Sequence, residues 1–281
     1  MTRSLIVNAD DFGRTRGVSA GIIEAHLHGL VSTTTAMVNL PGALQDVAQA
    51  CRQAPSLGLG VHLNLTLGRP VLSPVHVPSL VASDGSFHPP DALAAIAGHI
   101  DARQVASEWR AQIEAFRMTG ATLDHLDSHH HAALLAPAFW EACLALALEF
   151  GCGVRPSAPR GPRDDILFSR FPSHARRYAS GDARRRLLAS GVPSPDGLVT
   201  RFYDRRATLP GLLAILADTP EGITELMCHP GRVDEQLQRE SGYAQARERE
   251  LLALTSARAL QAVARHGIAR PTFRQAFLGP A

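Results

Sequence analysis

Two adjacent carboxylates, Asp10 and Asp11 in VNADDFG, stand between an apolar run and a helical pattern, and histidines recur downstream where they could share one site. His62 lies in GVHLNLT, the cluster HLDSHHH holds His125, Asp127, His129, His130 and His131, and CHPG carries His229. One carboxylate and two imidazoles drawn from different strand ends make a mixed oxygen and nitrogen set suited to a single divalent ion. A second carboxylate beside that set, not bound to the ion, can take a proton from an attacking water. Residues of these types in this pattern point to metal-assisted hydrolysis.

Each of them also has a plainer reading. Asp10, Asp11 and Gly13 ahead of Thr15 can form an Asx turn that leads into a helix cap. His62, alone in an apolar strand, can be a satisfied core imidazole, and His229 before Pro230–Gly231 can be a surface turn residue. HLDSHHH is harder to set aside, because three consecutive histidines after a strand pack poorly. At most one or two of them can face a common point, which leaves the others to substrate, to solvent or to a place behind the ligands. Asp127 could orient a ligand histidine through its ring N–H. A neutral His229 facing the ion across the site could protonate a leaving amine.

The elements that would position these groups alternate. Leu5 to Asn8 reads as a buried parallel strand, and 17–30 as a helix with Val18, Ile22, Ile23, Leu27 and Leu30 at helical spacing. Strands follow at 32–39 and 58–66 around a helix in ALQDVAQACRQA, and 68–90 is a Pro/Ser/Gly-rich loop. Val105, Trp109, Ile113 and Phe116 form one helical stripe; then come the strand TLDHLD, a helix opening at Pro137 and a short strand around CGVRP. Further strands are expected at 197–203 and 223–228, and one long charged helix over about 234–265. Seven or so strands alternating with helices predict an α/β fold, a (β/α) barrel or a distorted relative of one, in which strand C-termini carry the chemistry. Asp10, Asp11, His62, His129 and His229 each fall at or just past the end of an expected strand.

With 281 residues, 45% hydrophobic and 19% charged, the chain suits one large barrel, read as a single domain over 1–281. Its start shows no long apolar signal region, and no stretch of 18 apolar residues occurs, so a cytoplasmic protein without a transmembrane segment is expected. The four cysteines are scattered and read as free thiols. A net charge of +2 gives no footprint for nucleic acid. All 28 basic residues are arginine, which excludes lysine Schiff bases, lysine-bound pyridoxal phosphate and the Walker-type phosphate loop. No GxGxxG or GxSxG occurs either. Residues 155–206, taken as an Arg-rich insertion, hold 12 arginines against 5 acids, a net +7 that leaves −5 for the remainder. That segment is either a basic lid over an anionic part of the substrate or a solvated helical stretch, the usual fate of like-charge blocks.

At VNADDFG, STTTAMVN, GLGVHLNLT, ATLDHLDSHHH and CHPG, the chain resembles the YdjC-like carbohydrate deacetylases, which include chitooligosaccharide deacetylases and hopanoid-associated relatives. The motifs occur in family order over about residues 5–231. The resemblance implies a distorted (β/α) barrel akin to the NodB-type polysaccharide deacetylases, one divalent ion (Mg²⁺ or Zn²⁺), and hydrolysis of an N-acetyl group on an amino sugar or glycolipid. By motif position it implies Asp11, His62 and His129 as metal ligands, Asp10 as the base and His229 as the acid. Asp127, His131 and Arg155, in VRP, are implied near the ligands or the substrate, Arg155 as a residue that holds the base. A homodimer is left open. Two other readings stand beside it: a metal-dependent phosphoesterase whose Arg-rich segment grips phosphate, and a sugar- or metal-binding protein without turnover.

Overall fold

The computed structural model describes residues 2–164 and 173–279. Asp165 and Arg170 of the Arg-rich segment lie outside the described residues. Among the described residues there are eight strands: β1 (Arg3–Phe12), β2 (Thr33–Ala36), β3 (Gly58–Leu63), β4 (Leu123–Ser128), β5 (Gly153–Val154), β6 (Gly197–Val199), β7 (Gly222–Cys228) and β8 (Ile268–Ala269). All pair in parallel in the order β5-β4-β3-β2-β1-β7-β6, with β8 against the first residues of β1. β1 is buried from Leu5 to Phe12, as a central strand covered on both faces should be.

The sheet curls into a distorted (β/α) barrel. Register shifts on β1 after Ala9 and on β3 after Leu59 bend the strands. Between β5 and β6 no ladder forms; the chain leaving β5 bridges the gap instead. Arg160 N–H donates to the Leu198 carbonyl at 2.8 Å and Leu198 N–H to the Ala158 carbonyl at 3.1 Å.

Helices cover the outside. The helix Ala102–Arg117 buries the expected stripe of Val105, Trp109, Ile113 and Phe116. Its buried polar residues tether the loop after β3. Glu108 accepts from the N–H groups of Val71 and Leu72, and the Gln112 amide exchanges bonds with the Asn64 backbone at 2.8 and 2.9 Å. Buried polar groups are tolerated when partnered in this way. Gly21, in the helix Arg16–Leu27, lets that helix lie on the turn after β7, since a Cβ there would stand 2.6 Å from the Gly231 backbone.

Three sequence expectations are revised. The helix expected over 234–265 is three helices, Glu235–Glu240, Ala244–Leu254 and Ala257–Arg265. Ser241 and Gly242 break the first junction, and Ser256 caps the third helix by accepting from Arg258 N–H. The strands expected at 32–39 and 197–203 shrink to four and three residues, because the chain turns away from the sheet at their ends. β8 was missed, two residues being too short for any periodic signal.

Residues 155–206 contain β6 and the helices Ser173–Tyr178 and Arg184–Ser190 that lead to it. Arg184, Arg185 and Arg186 are exposed; Arg185 pairs with Asp182 and Arg186 with Glu141. Exposed pairs of this kind contribute little. Replacing the three together by Gln is expected to move Tm by no more than about 2 °C in a thermal melt; a larger drop would mean that they hold the fold. No helix among the described residues is long and apolar enough to cross a membrane.

Candidate functional site

The C-terminal ends of the strands open into a cleft of about 870 Å³. Asp10, Asp11, His62, His129, His130, His131 and His229 all line it, joined by Arg14, Tyr203, Tyr243 and Arg247. The side chains singled out in the sequence are therefore brought to one place, apart from His125, Asp127 and Arg155.

Adjacent residues on an extended strand point to opposite faces, so a site that uses both Asp10 and Asp11 needs a backbone irregularity. Asp11 supplies it with φ 71°, left-handed backbone that costs a non-glycine residue on the order of 1 kcal/mol. Gly13 then takes φ 83° where a Cβ would stand 2.5 Å from that of Ala43. His130 and His131 are left-handed as well, which turns the chain sharply after β4 and leaves His129 at the mouth of the strand.

Three donor atoms converge. His62 Nε2 lies 3.3 Å from Asp11 Oδ1, His129 Nδ1 lies 3.2 Å from the same oxygen, and the two ring nitrogens are 3.3 Å apart. Ligands about 2.1 Å from a common ion, at angles near 100°, stand about 3.2 Å from one another. Asp11 Oδ1 has no hydrogen-bond partner, while Asp11 Oδ2 takes an N–H of Arg247. The field points the same way. Burial disfavours a charged His62, yet Asp127, Asp11 and Asp10 push it up to about 10, so the anions around it call for positive charge. Burial outweighs Asp11 at His129 and lowers that imidazole, which suits a neutral ligand. The residues fit a divalent ion.

The tautomer of His62 is set from behind. Its Nδ1 stands 2.6 Å from Asp127 Oδ1, leaving Nε2 for the cleft. Asp10, His62 and Asp127 also cluster tightly enough for an ion. There, however, Arg155 already supplies the cation. It binds Asp10 through two parallel bonds of 2.7 and 2.6 Å, reaches Asp127 at 2.9 Å and Glu225 at 2.7 Å, and is 4% exposed. Although burial raises the Asp10 carboxyl, Arg155 and the nearby histidines override it and hold the group well below the usual range. Removing a partner from a buried ion network leaves its other charges uncompensated. Arg155→Met, which strands Asp10, Asp127 and Glu225 together, is thus expected to destabilise the fold by about 3–5 kcal/mol in denaturant unfolding. A loss below about 1 kcal/mol would show that the network does not hold the site.

His229 follows β7 and faces Asp10, Nε2 to Oδ2 at 3.9 Å. Burial pushes its imidazole down to about 4 against the pull of Asp10 and Asp11, so it is neutral near pH 7. His125 points elsewhere. Its Nε2 lies 3.0 Å from Asn8 Oδ1 and its ring stacks on Phe273 at 4.0 Å, inside the core. His130 Nδ1 meets the Thr66 hydroxyl at 3.0 Å.

Arg14, Tyr203, Tyr243 and Arg247 at this cleft were missed, as was Glu250 behind His229. Arg247 and Glu250 are buried on the helix Ala244–Leu254, where RERE reads as a solvated charged face, and nothing in the sequence separates them from exposed Arg249. Tyr203 and Tyr243 stack at 4.5 Å from turns with no motif of their own.

A sequence profile of the family described as YdjC-like protein matches residues 4–265. A carbohydrate deacetylase of Enterococcus faecalis is 35% identical over 271 residues, 95% of either chain. One from Thermoanaerobacter pseudethanolicus is 33% identical over 259 residues, 92% of either chain. A crystal structure from Enterococcus faecalis, provisionally described as a cellobiose-phosphate cleavage protein, superposes with a TM-score of 0.85 at 34% identity, covering 98% of this chain and 99% of that one. The Xyl-CE4 domain of a multidomain xylanase from the hindgut metagenome of Trinervitermes trinervoides shares the fold alone, with a TM-score of 0.51 at 8% identity over 99% of this chain and 91% of that one.

Proposed function

The chain belongs to the YdjC-like protein family, and from that premise we propose that it is a metal-dependent carbohydrate deacetylase, which hydrolyses the N-acetyl group of an amino sugar or glycolipid to acetate and a free amine. The observation that carries this reading is the convergence of Asp11 Oδ1, His62 Nε2 and His129 Nδ1 within 3.3 Å of one another, with Asp10 and His229 facing the same cleft. Asp11, His62 and His129 hold the divalent ion. When bound, it acidifies a water and polarises the acyl carbonyl.

That help is needed, because Arg155 makes Asp10 a weak base. Arg155 and Asn8, whose amide donates to Asp10 Oδ1 at 2.9 Å, fix the carboxylate so that it can take a proton from the attacking water without reorganising. His229 starts neutral and must gain its proton during turnover. Asp10 Oδ2 receives the water's proton; at 3.9 Å from His229 Nε2 it is beyond direct hydrogen-bond reach, so one water between them carries the proton to the more basic imidazole. His229 then protonates the departing nitrogen, without which an amide amine is a poor leaving group. Asp127 keeps His62 in the tautomer that offers Nε2. The phosphoesterase reading has the Arg-rich segment grip phosphate, and none of the described arginines in 155–206 lines the cleft, whose arginines are Arg14 and Arg247.

The cytoplasm is the compartment that fits this reading. It is tested by incubating the metal-loaded protein with N-acetylated monosaccharides, disaccharides and lipid-linked sugars. Equal amounts of acetate and free amine from at least one class are expected. Sugar binding without any turnover across the panel would favour a non-catalytic protein.

A further inference from the structure

We propose that Glu250 and Tyr243 are positioning residues that aim His229 at the leaving nitrogen; this rests on the assignment of His229 as proton donor. A general-acid imidazole is normally oriented through its second ring nitrogen, which bonds a carboxylate or carbonyl. Here His229 Nδ1 is buried and has no hydrogen-bond partner, so the ring is not held from that side. What holds it is its backbone and two rings. The His229 N–H donates to Glu250 Oε2, and the Tyr243 hydroxyl donates to Glu250 Oε1 at 2.5 Å. The Tyr243 oxygen in turn accepts the Asp204 N–H at 2.7 Å.

These bonds join three separate pieces of chain: the turn after β7, the turn after β6, and the helix Ala244–Leu254 with its N-cap Tyr243. Asp204 is left-handed, with φ 51°, a conformation that the Tyr243 contact helps to fix. The result is a slot. Tyr203 and Tyr243 stack with their planes 8° apart, and the His229 ring stands edge-on to both, at 5.6 and 5.8 Å. Glu250 has no exposed surface, and both of its oxygens are used within this network. Burial raises its carboxyl to about 7, so the group is kept where its charge is disfavoured.

A Gln at position 250 has the same shape, but its NH2 cannot accept a hydrogen bond, so either the His229 N–H loses its acceptor or the Tyr243 hydroxyl must turn its proton away. The test compares two substrates of one enzyme: an N-acetylated amino sugar, whose leaving amine needs a proton, and an aryl acetate ester with a nitrophenolate leaving group, which does not. His229→Ala should lower kcat on the amide by about 10²-fold or more and on the ester far less. Glu250→Gln should show the same split at smaller size, about 10-fold or more on the amide, with KM for the amide within about twofold. Tyr243→Phe should follow in the same direction and carries the comparison if Glu250→Gln does not fold. Adding Glu250→Gln to His229→Ala should cost the amide nothing further, because both act through one group. Equal losses on amide and ester in Glu250→Gln and Tyr243→Phe, or losses that multiply in the double variant, would overturn the proposal while leaving His229 as donor. If His229→Ala itself hits both substrates alike, the donor assignment falls, and the positioning role falls with it.

Discussion

Asp10→Asn is expected to lower kcat for acetate release by about 10²–10⁴-fold while one divalent ion remains bound per chain. The carboxamide keeps the shape of the side chain but cannot accept a proton from water. The ion should stay because Asp10 is not one of the three converging donors; its oxygens are taken by Arg155 and Asn8. The substitution also removes one of three carboxylates that share Arg155, so a modest loss of stability should accompany the kinetic one. Metal titration, steady-state kinetics and a melt on the same preparation separate these effects. Activity within a few-fold of the wild type would make Asp10 structural and leave the water without its base. Loss of the ion would place Asp10 among the ligands instead.

Asp11→Asn is expected to cost at least about 10²-fold in metal affinity, and activity with it, since it removes the single negative ligand from a site whose other donors are neutral imidazoles. Asp11 Oδ1 is the atom that both His62 and His129 face. Activity should return in part at high metal concentration, which a folding defect would not allow. Asp127→Asn, one bond further out, should cost about 10–100-fold in affinity, because the His62 ring then loses the carboxylate that fixes its tautomer. Unchanged metal affinity in Asp11→Asn would move the ion elsewhere.

Much of this site could be read in the sequence, because strand ends are local features. Asp10, His62 and His229 each come at the end of a short β-branched or apolar run, and His129 follows the mixed strand LDHLDS; in a parallel barrel the ends of such strands meet. The left-handed turn at Asp11 could not be read, since Asp is not an obligatory αL residue and the turn is stabilised by a site assembled from distant strands. The inner face of the helix Ala244–Leu254 was hidden for a different reason. Its amphipathic signal is weak because Arg247 and Glu250 replace apolar residues on the inner face, and only the cleft explains their burial. The Arg-rich segment divides into two kinds of arginine. Its charge excess lies on exposed helical residues such as Arg184 to Arg186, whereas Arg155 from the same segment is the buried hub of three carboxylates.

One titration addresses the union of ion, base and acid most directly. The protein is stripped with a chelator, dialysed, and supplied with a divalent ion in steps while acetate and free amine are measured from an N-acetylated sugar. Activity is expected to be absent in the stripped protein and to rise to its maximum as one equivalent of ion binds per chain, with acetate and amine in equal amounts, and Asp11→Asn should show neither the tight equivalent nor the rise. Full turnover by the stripped protein, or the same stoichiometric binding and activation in Asp11→Asn, would contradict it.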